Sequence, residues 1–195
     1  MPKVIHLSTD LWAFGRTHKS GFPIGFVERA MREVYRGGSI LHLCCGTRVL
    51  ANAVNVDIRG DVKPDVLADA TRLPFQDESF DFVIADPPYE GYDSRRLYGT
   101  EIPPTYSLLE EMSRVTAKGG QYCLLYVYTP STLGGDCRTR QIAVTMGIHT
   151  RPRMFTVWER GLFPGKASHQ YTKKPGARVR SPGRKRRDPG PGAFG

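Results

Sequence analysis

The chain has 195 residues, enough for one compact domain and a tail. Its 39% hydrophobic content suffices for a globular core, and no apolar run approaches the roughly 18 residues that a membrane-spanning helix needs. The net charge of +9 is concentrated in the tail: residues 166–195 hold nine Lys and Arg against one acid, Asp188, whereas residues 1–165 hold nineteen against eighteen.

The first residues carry neither a long apolar stretch nor a cleavage pattern, which reads as no signal peptide. Cys44, Cys45, Cys123 and Cys137 lack CxxC spacing and read as reduced thiols of a cytoplasmic protein, with no metal site. Residues 1–21 form an aromatic-containing lead-in. A helix is predicted over 23–36, where Phe26, Val27, Ala30, Met31, Val34 and Tyr35 recur at helical spacing before Gly37-Gly38. Short apolar strands are then expected over 39–43, 53–56, 65–68 and 80–85, a helix over 105–116 and a longer strand over 121–128. A second late helix is expected over 136–146, and a closing hairpin from strands 148–151 and 154–159. From Gly165 onward Gly, Pro and Arg dominate without periodicity, which predicts a disordered basic tail over 166–195 following a folded domain over 1–165. Its Arg184-Lys185-Arg186-Arg187 run reads either as a solvated end or as an electrostatic arm for nucleic acid.

Strands alternating with helices imply an α/β fold with a mainly parallel sheet. Two crossovers are too short for ordinary helices: six residues, 48–53, follow Thr47, and 59–63 follow Asp57. A parallel connection normally takes about a dozen residues, so the face beside these strands needs other cover, from the lead-in, the first helix or a partner subunit.

Ligands of open α/β sheets bind beyond the carboxyl ends of the strands. Four successive predicted strands end in Gly46, Asp57, Asp69 and Asp86. The ordered segments are Leu41-His42-Leu43-Cys44-Cys45-Gly46-Thr47, Asn55-Val56-Asp57, Asp69-Ala70 with Leu73-Pro74-Phe75, and Asp81-Phe82-Val83-Ile84-Ala85-Asp86-Pro87-Pro88-Tyr89. Over about residues 18–160 this order resembles the Rossmann-like methyltransferases. The Asp86-Pro87-Pro88-Tyr89 block resembles the DPPY motif of the amino-methyltransferases that modify adenine or cytosine in DNA.

The resemblance implies a mainly parallel seven-stranded sheet with a C-terminal antiparallel hairpin strand and shortened crossover helices. It implies S-adenosyl-L-methionine as cofactor, with Gly46 allowing close backbone approach, Asp57 accepting from the ribose hydroxyls, Ile58 against the adenine and Asp69 with Ala70 on its edge. Leu73 and Phe75 would be walls, and Phe22 and Pro23 would line the methionine end beside the Cys44–Thr47 loop. Asp86 and the Pro87 carbonyl would accept from the two N–H bonds of the target amino group, Pro88 would stiffen the turn, and Tyr89 would stack on the base. Tyr92, Arg95 and Arg96, in the loop after the motif, have the chemistry to stack on bases and meet phosphate.

Related enzymes often carry an acid where this chain has His42 and a second glycine where it has Arg48. A cation is therefore expected to meet the cofactor carboxylate, with Arg48, Arg16 and Lys19 as candidates. The implied partner is nucleic acid, DNA before RNA, with a homodimer or partner subunit possible because no separate target-recognition domain is evident. RNA bases and protein glutamine are the alternative acceptors, and a degenerate nucleic-acid-binding subunit is the non-catalytic alternative.

Overall fold

The computed structural model describes residues 8–15, 22–89, 94–146 and 151–161. The candidate cations Arg16 and Lys19, the candidate base contact Tyr92 and the basic tail 166–195 lie outside these residues.

One eight-stranded sheet organises the chain. Its strands are β1 (Ser8–Ala13), β2 (Ile40–Leu43), β3 (Ala53–Asp57), β4 (Val66–Leu67), β5 (Phe80–Ala85), β6 (Thr116–Tyr126), β7 (Cys137–Thr145) and β8 (Arg153–Glu159). The spatial order is β1-β7-β8-β6-β5-β2-β3-β4. Every pairing is parallel except those of β8, which runs antiparallel to both β6 and β7. This is the Rossmann-like methyltransferase arrangement, enlarged by one strand.

The eighth strand is the lead-in. β1 pairs in parallel with β7 at the far edge and delivers Trp12 into the core, with ring centroids 5.8 Å from both Phe26 and Phe155. A second departure lies beside it. Residues 137–145, expected to be helical, form the nine-residue strand β7, which pairs antiparallel with β8, while residues 148–150 of the expected short strand 148–151 lie outside the described residues. The segment is held by neighbours on both edges, and Ile142 and Val144, two residues apart, are both fully buried. That is the period of a strand, not of a helix.

Among the described residues, each face of the sheet has one α-helix. Alternation along β5 sends Phe82 and Ile84 to one side and Val83 and Ala85 to the other, and β6 divides Cys123 and Leu125 from Tyr122 and Leu124 in the same way. α1 (Phe26–Glu33) covers the first side with Phe26, Val27 and Ala30. It starts later than the expected 23–36 because Gly25, at φ +80°, lies in a backbone region outside the helix, and it ends at Glu33, where Val34 leaves helical geometry. α2 (Thr105–Val115) covers the second side with Leu108, Leu109, Met112 and Val115, as its spacing predicts. Among the described residues no helix is long and apolar enough to cross a membrane.

The short crossovers are roofed locally. Leu50, in the link between β2 and β3, packs on the α1 side of the core. Beneath it Asn55 makes a buried polar knot: its Oδ1 accepts from Leu50 N–H at 2.7 Å and faces His42 Nδ1 at 3.0 Å, and its Nδ2 donates to Asp65 Oδ2 at 2.8 Å. Side-chain hydrogen bonds thus satisfy backbone that a crossover helix would otherwise cover. The link from β3 to β4 is reduced to a single 3₁₀ turn, Gly60–Val62.

His42 is 1% exposed, and burial first of all pushes its pKa down to about 4, with Asn55 and Asp57 opposing and Arg48 adding to the depression. A base depressed on folding holds its full stabilising contribution above its unfolded pKa, near 6.5, and loses it as pH falls toward 4. Asp86, raised on folding, acts in the opposite sense over much of that window, so the comparison of two proteins isolates the histidine. Between pH 7 and pH 4 the stability of His42→Leu should gain on that of the wild type by up to about 3 kcal/mol. Chemical unfolding at several pH values measures this, and a constant difference would mean that His42 titrates alike in the folded and unfolded chain.

Candidate functional site at the carboxyl edge of the sheet

Strand register sets the site. Leu43 of β2 lies opposite both Val56 of β3 and Ala85 of β5, and Asp57 lies opposite Leu67 of β4. The chain therefore leaves the sheet at neighbouring points, and the residues that follow stand in one row: Asp69, Asp57, the Cys44–Gly46 loop and Asp86. The four strand ends expected from sequence order are adjacent in space, in the order β4, β3, β2, β5.

The glycine loop is tied to β3. Gly46 N–H donates to Asp57 Oδ2 at 2.8 Å, and Arg59 N–H donates to Asp57 Oδ1 at 2.9 Å. A carboxylate offers about four lone-pair directions, so Asp57 keeps acceptor capacity for a ligand. Gly46 itself has φ +53°, a conformation that disfavours side chains, while a Cβ at that position would meet nothing within 4 Å. Backbone conformation, rather than crowding, is what calls for glycine here. Cys44 also has a positive φ, +55°. Its thiol is pushed well above the usual range by burial, then by the charges of Asp57 and Asp86, then by Cys45 and Asp69. Three carboxylates from three strand ends thus act on one point.

Thr47 is exposed in the turn that follows, which closes with Arg48 N–H donating to the Cys45 carbonyl at 3.0 Å. Arg48 is half-buried, and its charge is felt by His42. Ile58 is exposed at the outer end of β3. Asp69 closes an Asx turn, its Oδ1 accepting from both the N–H and the hydroxyl of Thr71 at 2.8 Å. Ala70 and Leu73 are buried beneath this turn. The whole segment is clamped to α2: Glu111 accepts from Leu73 N–H at 2.7 Å, and Arg114 donates to the carbonyls of Leu73 and Phe75 at 3.1 and 2.8 Å. An open cavity of about 590 Å³ lies against it, lined by Leu67, Asp69, Thr71, Arg72, Pro74 and Ser107 among others. It takes in Asp69 but none of Gly46, Asp57 and Asp86, so the row of strand ends extends beyond it.

Phe22 and Pro23 are buried, and Phe22 is enclosed between Phe26, at 5.0 Å, and His42, at 5.6 Å, as part of the α1-side core. The structure thus gives Phe22 a packing role. Arg95, on the π-helical turn Ser94–Tyr98, is exposed and paired with Glu101 through two hydrogen bonds of 2.8 and 3.0 Å. Arg96 is exposed on the same turn.

Asp86 and Pro87 are buried, and Pro88 and Tyr89 are half-buried. Tyr89 meets Tyr126 edge-on at 6.2 Å. Asp86 has a partner that sequence reasoning missed. Arg153 Nη1 lies 3.2 and 3.3 Å from its two oxygens, with both side chains 4% exposed. The Arg153 guanidinium also stands 5.8 Å from the centroid of Tyr89. The signal was available: an arginine precedes the apolar run of the last predicted strand, and an antiparallel strand begins at the edge where its parallel neighbours end. Burial raises the Asp86 carboxyl, Arg153 pulls it down, and the balance leaves it at about 6.

No protein-family model matches the chain. A demethylmenaquinone methyltransferase from Bacillus cytotoxicus is 30% identical across 52% of this chain and 50% of its own length, so the chain spans about half of the curated relative it matches. Among solved structures, TrmN from Thermus thermophilus aligns with a TM-score of 0.51 at 15% identity, over 73% of this chain and 50% of that one. A SAM-dependent methyltransferase from Methanosarcina mazei aligns with a TM-score of 0.46 at 13% identity, over 74% of this chain and 100% of that one. The likeness to TrmN agrees with the sheet order: the fold is that of the Rossmann-like methyltransferases.

Proposed function

We propose that this chain transfers a methyl group from S-adenosyl-L-methionine to an exocyclic amino group of a nucleobase, adenine N6 in DNA foremost and cytosine N4 next. The observation that carries the reading is the row Asp69, Asp57, Gly46, Asp86 on four adjacent strand ends, with the Asp-Pro-Pro-Tyr turn closing it.

The residues of this row fit the cofactor. The open backbone at Gly46 admits it, the spare acceptor capacity of Asp57 suits ribose hydroxyls, and Asp69 and Ala70 suit the adenine edge. The negative potential that Asp57, Asp86 and Asp69 place around Cys44 suits a sulfonium cation. When bound, the cofactor supplies an electrophilic methyl group. The protein's own task is to prepare the nitrogen. Asp86 accepts one N–H of the target amino group and the Pro87 carbonyl accepts the other, which localises the nitrogen lone pair and opposes the positive charge that grows on it. The two prolines hold these acceptors in place, and Tyr89 provides a face for the base. Arg95 and Arg96 and, beyond the described residues, Tyr92 and the basic tail provide contacts for the polymer.

A carboxylate with a pKa of about 6 makes a distinct prediction. Opposing the positive charge that grows on the nitrogen requires Asp86 ionised, so kcat/KM should rise tenfold per pH unit below about 6 and level off above it. A profile flat from pH 5 to 8 would remove Asp86 from the reaction. The test of the function itself is transfer of labelled methyl to DNA, RNA and protein in parallel, followed by nucleoside analysis. Label in N6-methyladenine of DNA is the expected result; label confined to RNA or to glutamine would reassign the acceptor. A wild-type chain that binds no cofactor would make it a non-catalytic subunit.

A further inference from the structure

Arg153 is poorly used by what surrounds it. A guanidinium has five N–H donors in a planar fork that matches a carboxylate through two nitrogens at about 2.8 Å. Here a single nitrogen, Nη1, reaches both Asp86 oxygens at 3.2 and 3.3 Å. The second terminal nitrogen, Nη2, faces the thioether of Met146 at 3.2 Å, a weak acceptor. Nε is buried without a hydrogen-bond partner among the described residues. Leaving donors of a buried charge unpaired is costly. Such an arrangement persists where a ligand completes it, and the groups beside it are Asp86 and Tyr89, the two that face the acceptor base.

We infer that Arg153 is a specificity residue of the acceptor site, donating to the ring nitrogen bonded to the amino-bearing carbon while Asp86 accepts from the amino group. The inference rests on the proposed nucleobase reading and deepens it. Side by side, a donor and an acceptor complement an amidine edge, –N=C–NH₂. Adenine presents it as N1 and N6, and cytosine as N3 and N4. The arrangement also explains why a cation is tolerated next to an acid that must oppose positive charge: its donors are spent on the ring rather than on the reacting nitrogen.

The test uses the full-length protein and single-stranded oligonucleotides carrying one target base. They contain adenine, 1-deazaadenine or 7-deazaadenine, or cytosine and 3-deazacytosine where cytosine is the acceptor. In 1-deazaadenine and 3-deazacytosine a C–H replaces the proposed partner of Arg153. Removing that ring nitrogen makes the amino group intrinsically more nucleophilic, so a loss of rate would run against the chemistry and report recognition. The wild type should lose about 100-fold in kcat/KM on 1-deazaadenine, the scale of one charged hydrogen bond, and little on 7-deazaadenine. In Arg153→Met, which is slower on adenine itself, the same change should cost less than about threefold. Arg153→Lys keeps a cation beside Asp86 but lacks the fork, and should also lose most of the discrimination; it serves if the Met variant does not fold. Equal wild-type rates on adenine and 1-deazaadenine, or a 100-fold loss that persists in both variants, would overturn the inference and leave the proposed function standing. Absence of transfer to any nucleic acid would sink both.

Discussion

Asp86→Ala should lower kcat for methyl transfer by at least about 1,000-fold while leaving cofactor affinity within a few fold of the wild type. Loss of a single preorganised group facing developing charge in a closed site commonly costs 10²- to 10³-fold, and Asp86 has two tasks, accepting an N–H bond and opposing the charge on nitrogen. Its burial strengthens both, because water competes little at a side chain 4% exposed. The substitution also strands the Arg153 charge, and breaking a buried pair in this way typically costs about 3–5 kcal/mol of stability. Asp86→Asn separates the two effects. It retains an oxygen acceptor of the same shape without the charge, so it should recover part of the activity if positioning matters and little if charge dominates. Thermal unfolding of each variant, run alongside the transfer assay, distinguishes a damaged site from a damaged fold. Transfer by folded Asp86→Ala at the wild-type rate would end the catalytic assignment.

Asp57→Ala should act on the other half of the reaction, weakening cofactor binding by about 100-fold or more. Its carboxylate fastens Gly46 N–H and Arg59 N–H in the protein alone, at 2.8 and 2.9 Å. Removal leaves two backbone donors at the end of β3 to find other partners and frees the glycine loop, besides deleting the acceptor proposed for the ribose. Hydrogen bonds to a charged group contribute about 1.5–3 kcal/mol each, so losing one or two on the ligand side alone accounts for a 10²-fold effect. Asp57→Asn keeps one acceptor oxygen and should fall between. Calorimetric titration of S-adenosyl-L-methionine into the three proteins measures the series. An unchanged Kd in Asp57→Ala would remove this carboxylate from the binding site. The two experiments are complementary: Asp86 should move kcat, Asp57 should move Kd, and a protein in which either substitution moved both equally would have lost its fold.

The tertiary structure reshaped several expectations for the site. His42 and Arg48 depart from the pattern of related enzymes, and their surroundings explain how the fold absorbs the change. His42 points to the α1 side, where Phe22 and Asn55 hold it, so it stays in the framework beneath the loop. Part of the cover for the shortened crossovers is local, because Leu50 packs on the α1-side core and the Asn55–Asp65 bond lies beneath it. Arg95, expected to meet phosphate, is already engaged by Glu101, an exposed pair that a polyanion can displace because such pairs contribute at most about 1 kcal/mol.

Local order along the chain determined the row of four strand ends, the length and buried face of α2, and the chemical identity of each residue at the edge. These depend on short-range features: apolar runs of strand length, turn-forming residues directly after them, and apolar side chains three and four apart. Only the tertiary structure decided that residues 137–145 extend the sheet, that the lead-in pairs with them, and that Arg153 lies against an acid 67 residues away. Cys137–Thr145 is rich in Arg, Thr and Gln and has little apolar alternation of its own, so its conformation comes from the two neighbours that satisfy its backbone, β1 and β8. Arg153 reaches the site because β8 enters the sheet backwards, a consequence of pairing rather than of any local pattern. The Asp-Pro-Pro-Tyr turn was therefore legible as a candidate site from its own residues, whereas Arg153, marked in the sequence only by its place before the last predicted strand, was brought against Asp86 by the assembled sheet.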